Sequence, residues 1–164
     1  MLACLDVDYR PDLTVAACVL FRAWTDATES SHLVEHGPPA EPYEPGQFYR
    51  RELPHLLRVL ARVEVPLEAI IVDGYVWLGE DKPGLGAHLY EALNREVPVI
   101  GVAKTAYVTT GPSVTVLRGQ SLRPLFVGAA GMDVKAAAEH IRRMHGPSRS
   151  PTLLKRVDHL CRTS

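Results

Sequence analysis

The amino-acid sequence predicts an α/β fold with one mixed β-sheet: an antiparallel three-strand meander, then parallel strands, flanked by helices. Two observations predict it. Three strand-like runs with short links open the chain, and after them apolar runs alternate with stretches of helical periodicity. The 164 residues are 46% hydrophobic, enough for a proper core. No repeat, low-complexity tract or linker interrupts them, so residues 1–164 are expected to form a single domain.

The elements follow in order. "LACLDVD" (2–8) is a short strand, and "YRPD" turns the chain because Pro11 removes a donor and Asp12 is a turn former. "LTVAACVLFRAW" is rich in β-branched and aromatic residues and predicts a second strand; "ESSHLVEH" is a weaker third. "GPPAEPYEPG" carries four prolines and two glycines, which excludes helix and central strand and leaves a shaped loop. In "PHLLRVLARV", Leu56, Leu57, Leu60 and Val63 recur at helical spacing, with Pro54 expected at the first helical position. "LEAIIVDG" and "VPVIGVAK" read as buried strands around the helix "GLGAHLYEALNRE". "SVTVLRGQSLRPLFVG" reads as a hairpin turning near Gly119. "DVKAAAEHIRRMHG" is a helix with Asp133 as N-cap and Gly146 past its end, and "SPTLLKRVDHLCR" a last helix with Pro151 near its start.

Composition narrows the functional classes. Apolar runs such as "LTVAACVL" are too short to span a bilayer, and "MLACLDVDYR" has no basic leader, so a cytoplasmic monomer is expected. Cys4, Cys18 and Cys161 show no metal spacing, and Cys4 and Cys18 lie in apolar runs as small core residues. The seven histidines have no zinc spacing, and "GLGAHL" lacks the Lys-Ser/Thr of a phosphate loop. Net charge is −1, but residues 135–164 carry a net +5 and residues 1–134 a net −6. A basic end on an acidic chain can contact phosphate, although a solvated pair of helices gives the same tally.

The chemistry concentrates in carboxylates. Asp6 lies in the first strand, and Asp73 ends the apolar run "AIIVD". In a sheet of this order the two strands can be neighbours, which places two carboxylates at one edge, where each raises the other's pKa unless a cation intervenes. Oxygen-only ligation suits Mg²⁺, or Mn²⁺ as a substitute. Glu52, at the mouth of the first predicted helix, is the third candidate. Singly, these are also an ordinary strand-end acid, an Asp-Gly turn and a helix-start Glu. Lys104, after "VIGVA", can reach a phosphate from the end of its strand, or stand there as a solvated lysine.

Several motifs together resemble the endonuclease V family. "LDVDY" resembles its first-strand motif (Asp6, Tyr9); "PYEPGQFYRRELP" resembles its wedge followed by its catalytic Glu, here Glu52. "IIVDG" resembles its second Asp motif, Asp73, and "GLGAHL" and "VPVIGVAK" resemble the segments that follow. The resemblance implies an RNase H-like fold and a Mg²⁺-dependent endonuclease that nicks inosine-containing DNA or RNA at the second phosphodiester 3′ to the lesion. It implies metal ligation by Asp6, Glu52 and Asp73, and a phosphate contact by Lys104. It implies a strand-parting wedge at Pro42, Tyr43, Glu44 and Pro45, and a base pocket at Gly46, Gly74, Gly84 and Leu85. The wedge chemistry agrees, since two prolines stiffen a loop and a tyrosine can stack on a base. A glycine-lined pocket suits close reading of an extruded base.

The chain departs from the pattern in four places. Tyr75 stands where a family His follows Asp-Gly, and Gly79 where another His follows. "GAAGMDV" replaces a Gly-His-Arg, leaving Asp133 as helix cap or as a fourth acid. The chain also opens at the first strand, without the family's N-terminal helical segment. Two alternatives therefore stand beside the inosine reading: an RNase H-like nuclease for another structured or mismatched substrate, and a catalytically drifted nucleic-acid-binding module.

Overall fold

The computed structural model describes the chain apart from residues 43, 46 and 108–111 and the side chain of residue 48. Its opening is the expected meander: β1 (Leu2–Tyr9), β2 (Thr14–Phe21) and β3 (Ser31–Gly37) pair antiparallel in sequence. Helix α1 (Phe48–Leu60) then crosses to β4 (Ala69–Asp73), which lies parallel beside β1. A small hairpin, β5 (Trp77–Gly79) with β6 (Lys82–Pro83), precedes α2 (Leu85–Ala92). Strand β7 (Val99–Ala103) runs parallel to β4; β8 (Val114–Val116) and β9 (Leu125–Ala130) close the sheet antiparallel, in the order β3-β2-β1-β4-β7-β9-β8. Helices α3 (Val134–Arg143) and α4 (Thr152–Thr163) end the chain.

The alternation of strand side chains sorts the core into two layers. Ala3, Leu5, Ile70 and Val72 pack beneath α1 and α2. Leu2, Cys4, Ala69 and Ile71 pack against α3 and α4 on the other face, with Leu153, Val157 and Leu160. Both faces are covered, which is why the strands read as continuous apolar runs. Gly119 takes a left-handed φ of 59° at the β8–β9 connection, as a hairpin turn requires, and Gly146 lies beyond α3 as expected.

The structure adds one element and corrects the start of the first helix. The hairpin β5–β6 has no counterpart in the sequence pattern, because strands of three and two residues carry no readable period. Helix α1 begins at Phe48, so Pro54 sits inside it rather than at its first position. An interior proline costs about 3 kcal/mol. Extending the helix backwards gains the burial of a longer face, and Pro54 itself points to solvent. Glu52 consequently lies within the helix, in line with Leu56 and Val59 on the buried face, and not at a helix mouth.

Candidate active site

Three strands run in the same direction and end at one edge of the sheet. The last register pair of β1 and β4 is Leu5 with Val72, so Asp6 and Asp73 are the next residues on adjacent parallel strands. Asp6 continues the Leu2–Cys4 alternation and Asp73 the Ala69–Ile71 alternation, which directs both carboxylates to the α4 side. Lys104 follows the end of β7 at the same edge. Glu52 arrives from the opposite face on α1. It meets the two aspartates beyond the strand ends, in a narrow opening that it lines with Asp6, Asp73, Leu56 and Leu85.

This edge also gathers a residue that sequence reasoning misses. Asp158 on α4 approaches Asp6, and one ligand atom each of Asp6, Asp158 and Cys161 lie within 4.8 Å of one another. Burial lifts the Cys161 thiol to about 12, so it stands protonated beside the carboxylates, and hard-cation ligation falls to the oxygens. The sequence signal is faint: Asp158 borders the stripe of Leu153, Val157, Leu160 and Cys161 that α4 buries. Asp133 does not join the edge. Strand β9 runs antiparallel to β7, with Ala130 opposite Val99, so its end leads to the far edge of the sheet. There Asp133 caps α3, accepting a hydrogen bond from the Ala136 N–H at 3.0 Å.

The electrostatics show what the cluster lacks. Burial, then Asp6 and Asp73, push Glu52 up to about 8. Burial, then Asp73, push Asp6 up to about 7, although the Val7 N–H donates to its Oδ1 at 2.9 Å. Asp73 is raised by burial and by Asp158, while Lys104 pulls it the other way. Glu52 is 7% exposed, and its Oε2 has no hydrogen-bond partner. Tyr9 Oη is likewise buried without a well-formed hydrogen bond, although it faces the Glu52 carboxyl, and the Arg51 guanidinium lies 4.2 Å from its ring centre. Buried polar atoms without partners are rare, and each needs an explanation. Repelling carboxylates around an orphaned oxygen fit a divalent cation, which would satisfy the oxygen and relieve the repulsion.

The remaining candidates are placed as follows. Pro42, Glu44 and Pro45 are exposed ahead of α1, where the Gln47 N–H donates to the Glu44 carbonyl. Tyr43 and Gly46 lie outside the described residues. Gly74 has φ 116°, and a Cβ on Gly84 would stand 2.6 Å from the Tyr75 carbonyl oxygen, so both positions require glycine. Leu85 is buried beside the carboxylates. Tyr75 is bound into the next loop: its hydroxyl donates to the Thr105 carbonyl at 2.7 Å and accepts from the Tyr107 N–H at 3.0 Å.

A mixed sheet of this order, flanked by helices and bearing acids on its first and fourth strands, is the RNase H-like architecture. The Endonuclease V family profile matches residues 1–133, and the chain belongs to that family. Asp158 lies beyond the matched residues. The chain is 29% identical over 175 residues to an endonuclease V of Streptomyces avermitilis, covering 94% of this chain and 75% of the relative. It is 33% identical over 97 residues to one of Alkalilimnicola ehrlichii, covering 59% of this chain and 42% of that relative. The crystal structure of the S. avermitilis endonuclease V superposes with a TM-score of 0.78 at 28% identity, over 99% of this chain and 79% of that one. Endonuclease V of Ciona intestinalis, solved with a 23mer DNA containing an inosine followed by a ribo-adenosine, has the same fold (TM-score 0.81, 17% identity, 99% and 83% covered). No helix among the described residues is long and apolar enough to cross a membrane.

Proposed function

We propose that this chain is a divalent-cation-dependent endonuclease that nicks inosine-containing DNA or RNA on the 3′ side of the lesion. The observation that carries the reading is the meeting of Asp6, Glu52 and Asp73, from both faces of the sheet, around a buried and unpartnered Glu52 oxygen. Asp158 completes the oxygen set on the α4 side. Asp6, Glu52, Asp73 and Asp158 would hold the cation, with Mg²⁺ the natural occupant and Mn²⁺ a substitute. When bound, the cation supplies an activated water and charge neutralisation at the attacking and leaving oxygens of the phosphodiester.

The chain's own groups do the rest. Lys104 reaches the cleft from the end of β7 and offers its ammonium to the phosphate. A carboxylate oxygen of this set that does not face the cation can accept a proton from the attacking water. Pro42, Tyr43, Glu44 and Pro45 act as the wedge that parts the strands, and Gly46, Gly74, Gly84 and Leu85 form the pocket for the extruded base.

One observation favours a second reading of the substrate. Tyr75, at the position of the family's first His, has no ring nitrogen to offer, and its hydroxyl is already engaged by the backbone of residues 105 and 107. A nuclease for a mismatched or branched substrate would use the same carboxylates with a different base pocket. Incubation of the protein with a single-inosine duplex, its RNA counterpart and a matched adenine control decides the matter. Each is run with Mg²⁺, Mn²⁺ or EDTA, and with Asp73→Asn. Metal-dependent nicking 3′ to inosine, lost in Asp73→Asn, is expected. Cleavage of a mismatch with no inosine preference selects the second reading, and no metal-dependent cleavage of any substrate refutes both.

A further inference from the structure

The basic C-terminal segment is accounted for cation by cation. Arg142 pairs with Glu139 at 2.9 Å, Arg156 with Glu29 at 2.8 Å and Arg162 with Asp158 at 2.9 Å. Arg149 donates to the backbone carbonyls of Lys104 and Pro124. Lys135, Arg143 and Lys155 have no carboxylate partner among the described residues. Of these three, only Lys155 lines the cleft that contains Asp6, Asp73, Asp158 and Lys104.

Its surroundings leave that charge unused. Among the described residues, the Lys155 ammonium hydrogen-bonds the neutral Ser148 hydroxyl and pairs with no carboxylate. The nearest acid on its helix, Asp158, is engaged by Arg162 one turn further on. A cleft walled by carboxylates repels a polyanion, so attraction for a nucleic-acid strand must come from cations that those carboxylates do not already neutralise. Lys155 meets that condition from α4, whereas Lys104, at the end of β7, already faces Asp73 and is partly offset by it. A lysine hydrogen-bonded only to a hydroxyl exchanges it for a phosphate oxygen without breaking an ion pair.

We propose that Lys155 is a second phosphate-contact residue, taking a backbone phosphate of the bound strand next to the one held by Lys104. This rests on the nuclease reading above. It also assigns the basic segment: one of its seven cations serves the substrate, while three are engaged in ion pairs and one by backbone carbonyls.

The test is the salt dependence of binding of a single-inosine duplex in Ca²⁺, for wild type, Lys155→Ala, Lys155→Arg and Ser148→Ala. Each lost phosphate contact lowers the slope of log affinity against log salt by about 0.9 on duplex, or roughly 0.7 on a single strand. Lys155→Ala is expected to lose that amount, Lys155→Arg to keep the wild-type slope, and Ser148→Ala to keep it too. An unchanged slope in Lys155→Ala, with wild type binding normally, overturns the inference and leaves the nuclease reading intact. A Ser148→Ala variant that reproduces the Lys155→Ala loss also overturns it, because Lys155 would then only brace the loop. Failure of wild type to bind any duplex removes the nuclease reading and this inference together.

Discussion

The two edges of the central sheet hold the same chemical group in opposite conditions. At one edge Asp6, Glu52 and Asp73 crowd together, with Asp158 close to Asp6; burial and mutual repulsion raise the first three, and a Glu52 oxygen has no partner. At the other edge Asp133 accepts from the Ala136 N–H and caps α3, while the Trp77 Nε1–H donates to the Ala129 carbonyl beside it. A carboxylate with its hydrogen bond made in solvent contributes to folding. A buried carboxylate crowded by others, with fewer donors than its oxygens need, opposes folding until a cation arrives. The difference supports placing the proposed site at the first edge more firmly than residue identity does.

The most severe trial of that contrast is to remove one acid from each edge. Asp158→Asn is expected to lower cleavage or cation affinity on the order of 10- to 100-fold, as loss of a group at a metal site does, with folding unchanged or improved. Asp133→Ala is expected to leave cleavage unchanged and to destabilise the protein by about 1 kcal/mol through the lost cap. Cleavage rates and thermal melts of both variants check this. If Asp133→Ala lost activity at wild-type stability, the assignment of edges would be wrong.

How far the sequence reveals these edges depends on the kind of information each needs. The apolar runs and their order are enough for the mixed sheet, and for placing Asp6 beside Asp73, because parallel neighbours follow from alternating strands and helices. The burial of Glu52 is also readable, since it lies four residues before Leu56 on one helical stripe, but Pro54 points to a false helix start. Asp158 cannot be found that way. Its approach to Asp6 depends on the β8–β9 hairpin and on α3 crossing to the far edge before α4 returns, and nothing local in "KRVDHLC" encodes that path. Asp133, closer in sequence to the strands, is the tempting choice, yet the antiparallel run of β9 carries it away.

A second prediction probes the same contrast with pH. Glu52 sits at about 8 and Asp6 at about 7 in the fold, against ordinary carboxylate values near 4 once unfolded. The folded chain therefore binds more protons than the unfolded chain between about pH 4 and pH 8. Stability of the metal-free protein falls as pH rises through that window, because the crowded acids, titrating together, must give up protons that the fold holds. Saturating Mg²⁺ should flatten the decline, because it stabilises the ionised carboxylates, and Asp133→Ala should leave the slope unchanged. Denaturant melts at several pH values, with and without Mg²⁺, measure both. A metal-free protein that gains stability from pH 5 to pH 8 would contradict the crowding.

The mildest change is expected between the functional edge and its loop. The Gly74–Val76 segment is seated tightly, since a Cβ on Gly101 would stand 2.5 Å from the Gly74 carbonyl oxygen. Tyr75 therefore projects from a fixed point immediately after Asp73, and its hydroxyl ties down Thr105 and Tyr107, just beyond Lys104. Tyr75→Phe keeps the ring and removes both hydrogen bonds, which are partly open to solvent, so the stability loss should be about 1 kcal/mol. Lys104 should then be held less firmly, so KM for the nucleic acid is expected to rise severalfold while kcat changes little. If kcat fell and KM stayed fixed, the tyrosine hydroxyl would be acting on the reacting groups themselves rather than on the loop that carries Lys104. The position where this chain departs from its family would then belong to the chemistry.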